Sequence, residues 1–577
     1  MSSQIEVQTE SMLDPRGDFR RKPASLAPRL PNLQGRNILL FDNTQLTTQL
    51  VRFGPFFRWL SDYLQTEHGA TCTFGSQNLL KGAKEDLPKL ADQISGSGVD
   101  GVVIALCNAG ITQPTSLFVA ELEQRGVPCV QICTDQGYSL AGITASNYAP
   151  GLPIVVVEPA TGDKETFGKA QTIAIAPEII SGLTSSPAVL LERFRMRFSS
   201  EALHIAKDGK IDLPAVSTAA TNTQGKATIK IDPGQFAERL YEALCASDMC
   251  DGLPVITPTE NRVAAMLRYT DLEPDHALVN EIPPSGATIT MRTLAVNAVM
   301  AGCRPEYFPI LVAAMQAVAD PDYRIFQGAI TSHPGGNAIV VSGPLAEELG
   351  IQSGYGCLGP GYRANATIGR AINLTIMNGA RAIPGKSDLG VFGSPAEFTY
   401  CFAESEKNNP WRPLHTDLYG PETTSVTVNK CEGPHNVLDP RGGPEELLRT
   451  IAATAATPGG NNLVYLGQIL VMLNPGQARM IAEAGWSKRD VKEFLFETAR
   501  HPVELASRQS RTTFPPYYLK LEQVPVMRSP DDVILVVCGG YGGHAMVGIP
   551  WGFSKAVSRP ITLKDGSPLR TIKGPLR

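Results

Sequence analysis

The sequence predicts an α/β protein, with a doubly wound parallel-sheet domain near the N-terminus and a larger α+β region after it. Three stretches carry that prediction. The run NILLFDNTQ from Asn37 is a short apolar segment broken by Asp42 and Asn43, the pattern of a buried parallel strand that opens into a loop at its carboxyl end. The segment VDGVVIALCNAGITQPTSLFVAELEQRGVPCVQICTD places an apolar strand over Gly101–Leu106 and apolar residues at helical spacing over Thr115–Gln124. Arg125-Gly126 then supplies a helix stop before a second strand, Pro128–Cys133, which completes a βαβ unit. A third apolar run, LPIVVVEP, begins at Leu152. Right-handed crossovers would build these strands into a doubly wound, flavodoxin-like sheet with the Cys107–Pro114 loop at its carboxyl edge, where such folds bind ligands.

Taken in order, residues 1–35 are rich in Pro, Arg and Ser and lack apolar periodicity, so they are expected to form an extended arm without a core of its own. The doubly wound domain should occupy residues 36–200, with a helix near Phe53–Glu67 after the first strand. The polar, turn-rich stretch 205–232 reads as a hairpin or linker, and a helix is expected over Pro233–Cys245, so that residues 201–250 connect the two halves. Residues 251–577 are rich in Gly and Pro and form the α+β region. Within it, two helical stretches meet at Gly302–Pro305, another helix lies in GYRANATIGRAINLTIMNGA, and Ser487 with Asp490 marks a capping-box variant. The segment DDVILVVCGGYGGHAM is a buried strand running into a glycine-rich turn.

Composition narrows the function classes. The chain has 577 residues, beyond what one core usually supports, and 43% hydrophobic against 19% charged residues, the mixture of a folded protein throughout. A formal charge of -5 with no run of like charges gives no surface to track a nucleic acid. Neither an apolar secretory leader nor about eighteen consecutive apolar residues occurs, so no membrane partner is expected. Eleven scattered cysteines form no disulfide framework, which points to a reducing, cytoplasmic setting.

Among the cysteines, Cys107 has positional support: it ends a buried strand and precedes a loop leading into a helix, whose N-terminal N–H groups favour a thiolate. A covalent nucleophile and a buried core thiol are both compatible with that position. Asn43 and Asn108 flank the same expected sheet edge. In the second half, His333 lies by a turn before a strand and is a candidate proton carrier or a loop cap. Arg363, Asn365 and Arg370, with Cys357, surround a glycine-rich helix start suited to a carboxylate or phosphate. Lys386 and the strand-spaced Glu404 and Glu406 fall in one acidic stretch, where Glu404 is a candidate acid/base group. Cys431 and His435 stand four apart without a second ligand pair, so no metal site is expected, and no motif names a cofactor.

The order VDGVVIALCNAG...LFVAELEQRGVPCVQICT, together with LDPRGDF, LAPRLPNLQGRNILLFDNTQ and GLPIVVVEPATG, resembles the UGSC-motif selenoprotein-like family over roughly residues 12–190. That family is similar to the selenoprotein B component of glycine, sarcosine and betaine reductases. The resemblance implies that Cys107, at the first position of the motif, is a nucleophile in carbon–heteroatom bond cleavage. The next three positions are Asn108, Ala109 and Gly110, so the motif's resolving cysteine is absent. A thiol/disulfide cycle within the motif therefore lacks its partner.

The sequence thus supports a cysteine-dependent enzyme acting on a small anionic or sulfur-containing molecule, by lyase or reductase-like chemistry, foremost at a carbon–sulfur bond. The alternatives are a lyase or hydrolase using acid/base groups of the second half, with the first domain as scaffold, and a non-enzymatic ligand-binding subunit. The long arm and glycine-rich helices make a homodimer the expected assembly.

Overall fold

The computed structural model describes residues 12–18, 22–43, 53–80, 82–107, 109–157, 164–194, 204–205, 210–212, 233–439, 442–507, 511, 514 and 516–576. Five parallel strands form the first sheet: β1 (Asn37–Asp42), β2 (Thr71–Ser76), β3 (Gly101–Cys107), β4 (Cys129–Cys133) and β5 (Ile154–Val156), in the order β2-β1-β3-β4-β5. The connecting helices are α1 (Phe53–His68), α2 (Leu87–Ser95), α3 (Thr112–Gln124), α4 (Asp135–Tyr148) and α5 (Lys164–Thr184).

The central strands are apolar on both sides because both sides are covered. Ile38, Leu40, Val103, Val130 and Ile132 pack with α1 and α5, while Leu39, Phe41, Val102 and Ile104 face α2, α3 and α4. Each such side chain, fully buried, contributes about 1.5–3 kcal/mol. The helices therefore flank both faces, and the domain is doubly wound. Strand order reverses between β1 and β3, which places the ends of these two strands at the topological switch point.

Alternation along β3 breaks at its end. Val103 and Ala105 face one way, and Cys107 by parity would follow them. A register irregularity between Ile104 and Cys107 instead turns Cys107 to the face of Ile104, toward α3 and α4. A bulge is the ordinary means of re-aiming a side chain at a strand end.

Residues 22–35 run extended against the doubly wound domain. Leu30 and Leu33 pack under α1 and α5, and the buried Arg29 guanidinium donates to Glu123 of α3 at 2.8 Å. In the connecting segment, Lys210–Asp212 pairs antiparallel with His204–Ile205 and with Met12–Leu13. The rest of the expected linker, 206–209 and 213–232, lies outside the described residues, and a helix follows over Pro233–Ala246.

The second region is a four-layer sandwich. One mixed sheet has the order β7 (Cys401–Ala403), β6 (Gly335–Ser342), β8 (Ser425–Glu432), β13 (Val557–Pro560). The other has the order β9 (His435–Leu438), β12 (His544–Gly548), β10 (Ile469–Leu473), β11 (Val533–Val537). Val340, Phe402 and Cys431 of the first sheet meet Leu470, Met472 and Val536 of the second. The outer face of the first sheet carries α6 (Met291–Ala301), α7 (Phe308–Val318) and α9 (Arg363–Ala380). The outer face of the other carries α10 (Pro444–Ala455), α11 (Pro475–Glu483) and α12 (Lys488–Thr498). The expected capping box closes α12: Asp490 N–H donates to Ser487 Oγ at 3.2 Å, and Ser487 N–H to Asp490 Oδ2 at 2.8 Å.

The two regions meet at the edge of the first sheet. Phe326, in the short helix α8 (Ile325–Gly328), packs into the same buried cluster as Cys107, and Gln327 Nε2 donates to the Leu80 carbonyl at 2.9 Å. No helix among the described residues is long and apolar enough to cross a membrane.

Candidate functional site

Cys107 lies at the switch point with its sulfur turned toward α3. Gln131, the one polar side chain of β4, points its Nε2 at Cys107 Sγ from 3.1 Å and bonds Ser116 Oγ at 2.9 Å. Asn43, at the end of β1, directs its Nδ2 to the same sulfur at 3.6 Å and to Thr115 Oγ1 at 2.8 Å. Ser116 and Thr115 return their hydroxyls to carbonyls one turn earlier, those of Thr112 and Ile111. These side chains are all buried. The amides are thus held at fixed aim toward one sulfur.

Cys133 completes the group. It is the register partner of Cys107 across β3 and β4, and Gln131 Nε2 reaches its sulfur as well, at 3.6 Å. Burial first, and then the neighbouring Cys107, push the Cys133 thiol well above its ordinary value. The motif itself lacks a resolving cysteine, and the neighbouring thiol here comes from the next strand of the same sheet. The carbonyl of Cys107 is also fixed, accepting the Thr134 N–H at 2.9 Å. A Cβ on Gly137 would collide with that carbonyl, so α4 can approach only because this position is glycine.

These observations sit inside the stretch whose order suggested a family. Residues 11–185 match the UGSC family. The match covers the whole doubly wound sheet and ends at the close of α5, so the UGSC region and the Cys107 domain coincide. No curated protein and no solved structure matches the chain.

The structure brings Asn43 to Cys107, whereas Asn108 lies outside the described residues. The candidates of the second half are placed elsewhere. Arg370 forms a bidentate pair with Asp251 at 2.7 and 2.8 Å, and Lys386 pairs with Asp248 at 2.6 Å. Arg363 donates to the Gly302 carbonyl at 3.0 and 2.9 Å, and Asn365 braces the glycine-rich loop through Gln352 and Cys357. None of these bonds reaches the Cys107 group. Glu404 is buried, its oxygens taken by Ser342, Asn409 and the Leu414 N–H, and burial pushes its carboxyl up. Ser342 also bonds His415, at 2.9 Å, which closes a satisfied network around the 404–415 loop. His333 Nε2 meets Glu432 Oε1 at 3.0 Å. Among the described residues no His, Cys, Asp and Glu group is arranged to hold a metal ion.

Sequence reasoning missed Gln131 and Cys133. Gln131 was signalled by its place, an amide between apolar residues in a fully buried strand. Cys133 was signalled by ending the strand after that of Cys107. A further group was not foreseen: Lys430, on the central strand β8, is buried beside Asp388 and Glu397. Burial lowers the Lys430 ammonium and raises the Asp388 carboxyl to about 6.

Proposed function

We propose that the chain is a cysteine-dependent enzyme in which Cys107 forms a covalent bond with a small sulfur-containing or anionic substrate. The observation that carries this reading is the pair of buried amides, Gln131 and Asn43, aimed at one sulfur at the switch point. A buried polar side chain costs free energy unless it is bonded, and a core thiol needs no such donors. The chemistry they suit is attack by a thiolate on an electrophilic carbon. The new carbon–sulfur bond forms as the carbon–heteroatom bond breaks, and the leaving group takes the proton released when the Cys107 thiol ionised. The match of residues 11–185 to the UGSC family supports the same class of step, as the family's resemblance to the selenoprotein B component of the amino-acid reductases implies, and Cys133 supplies the adjacent second thiol that a reductive version uses. Because Cys107 is fully buried, substrate is admitted by withdrawal of Phe326 and α8 from the edge of the UGSC sheet.

Intact-protein mass spectrometry after incubation with cell extract tests this reading, with the adduct mapped to one peptide. An adduct on Cys107 that disappears in Cys107→Ser is the expected result. Turnover by Cys107→Ser at the normal rate, once a substrate is in hand, would defeat it.

A second reading rests on Lys430. A buried lysine on a central strand, close to two carboxyls, is the arrangement that separates a proton donor from a proton acceptor. The C-terminal sandwich would then carry lyase or hydrolase chemistry, with the UGSC domain as scaffold. Lys430→Met abolishing activity while Cys107→Ser spares it selects this alternative.

A further inference from the structure

Lys430 lies near one end of β8, an interior strand of its sheet. Val426 and Val428 of that strand pack under α6, α7 and α9, while Cys431 turns inward between the two sheets. Alternation therefore puts Lys430 and Glu432 on the helix-covered face. Directly across the register, on β6, stands Asn337. Its amide is fixed, with Oδ1 accepting the Tyr323 hydroxyl and Nδ2 donating to Asn373 Oδ1 of α9 at 2.7 Å. The Lys430 stem runs to α8, where a Cβ on Gly328 would come to 3.9 Å from Lys430 Cε. Trp551 borders the same point, 3.6 Å from that Cβ, and donates its N–H to the Lys430 carbonyl at 3.0 Å. Further along the strand, Glu432 meets His333 at 3.0 Å.

Lys430 is only 7% exposed, and among the described residues no hydrogen bond or ion pair reaches its ammonium. Burying an unpaired charge is costly, so a lysine kept this way serves as the free amine or awaits a group that joins it. The carboxyls around it decide which kind of group. Glu432 follows on the same strand face, and Asp388 and Glu397 act on Lys430 from the loop after α9. That loop is tied to the turn before β6, where the Val391 N–H donates to the Ser332 carbonyl at 3.2 Å. Carboxyls on three residues around one lysine repel an anionic ligand, whereas a neutral carbonyl compound meets no such barrier. A free amine is a nucleophile toward a carbonyl carbon, and burial lowers the Lys430 ammonium in that direction.

We propose that Lys430 forms an imine with a small neutral aldehyde or ketone. The inference rests on the second reading, in which the C-terminal sandwich carries the chemistry, and names its substrate class. The Lys430 nitrogen adds to the carbonyl carbon, a carbon–nitrogen bond forms, and the carbonyl oxygen takes the proton that the nitrogen loses. The carbon–oxygen bond then breaks, and the oxygen leaves as water with a proton from the Asp388 carboxyl. The nitrogen lone pair closes the carbon–nitrogen double bond. Nothing is oxidised or reduced. The protonated imine carries the same single positive charge as the lysine ammonium, now opposite the Asp388 carboxylate.

Acetone is the probe. The full chain is incubated with acetone and sodium cyanoborohydride near neutral pH without denaturant, and timed samples are mapped by peptide mass. Hydride reduces each imine as it forms and leaves an isopropyl group on that lysine. Lys430 should carry the group at least about tenfold sooner than the exposed, ion-paired Lys407 and Lys555. The same treatment in urea should abolish that preference, because it belongs to the folded surroundings. Wild-type protein suffices for both measurements. Lys430 left unmodified, modified no sooner than those two, or equally favoured in urea overturns the proposal. Trapping needs no turnover, so the two readings separate. A chain that resists trapping yet loses activity in Lys430→Met keeps Lys430 as a proton carrier and sinks only the imine, whereas normal turnover by Lys430→Met defeats both.

Discussion

Glu123→Gln tests how residues 22–35 are bound to the UGSC domain. In the native protein Arg29 and Glu123 form an ion pair at 2.8 Å with side-chain exposures of 2% and 0%. Glu123 also accepts the N–H groups of Ala27 and Cys129, each at 2.7 Å. Burial pushes its carboxyl up, against the pull of Arg29 and of those N–H groups. The amide keeps one acceptor oxygen but removes the charge, leaving a buried guanidinium whose Nε and Nη2 already have no hydrogen-bond partner. Breaking one side of a buried pair costs about 3–5 kcal/mol, and the retained oxygen places this variant near about 3 kcal/mol. Hydrogen exchange at Val103, Ile104 and Val130 reads the opening of this domain alone. At about 1.4 kcal/mol per decade the rates should rise by about a hundredfold. Arg29→Met combined with Glu123→Gln should recover part of the loss, because it removes the uncompensated guanidinium while the amide oxygen still accepts a backbone N–H. A change below about tenfold in the single variant, or a double variant as weak as the single one, would refute the reasoning.

Three further outcomes follow from the same geometry. Gln131→Leu removes the donor 3.1 Å from the Cys107 sulfur; a bond to a charged group is worth about 1.5–3 kcal/mol, so alkylation of Cys107 should slow by about tenfold or more, measured by timed labelling and peptide mapping. Phe326→Ala opens the cluster that seals Cys107, and labelling of Cys107 should accelerate while that of Cys129 does not; equal acceleration of both would indicate general loosening. Asp388, raised by burial from 3.8 to about 6, binds its proton more tightly folded than unfolded. Its contribution is full below about pH 3.8 and is lost as pH rises through about 6. The Tm of the wild type should therefore fall from pH 5 to pH 7 more than that of Asp388→Asn, and parallel profiles would remove Asp388 from the account.

What the sequence by itself determined was the first domain. Its strands are apolar on both faces because both are covered, so they stand out as runs such as NILLF and GVVIAL. Parallel strands joined by crossovers of one favoured hand end on the same side, which puts Asn43 and Cys107 at the same sheet edge. The second region hid its architecture. Its two sheets pack against each other, and their strands are ordered β7-β6-β8-β13 and β9-β12-β10-β11, so the neighbours in each sheet come from distant parts of the chain. No local periodicity encodes such pairings. For the same reason the burial of Lys430 beside Asp388 and the use of Arg370 and Lys386 in ion pairs with Asp251 and Asp248 were beyond the sequence. Even at Cys107 the pattern located the strand end but not the face. A register irregularity after Ile104 reverses the alternation and turns the sulfur toward Gln131 and Cys133. Burial and neighbours are properties of the packed chain, and they decide which cysteine can become an anion.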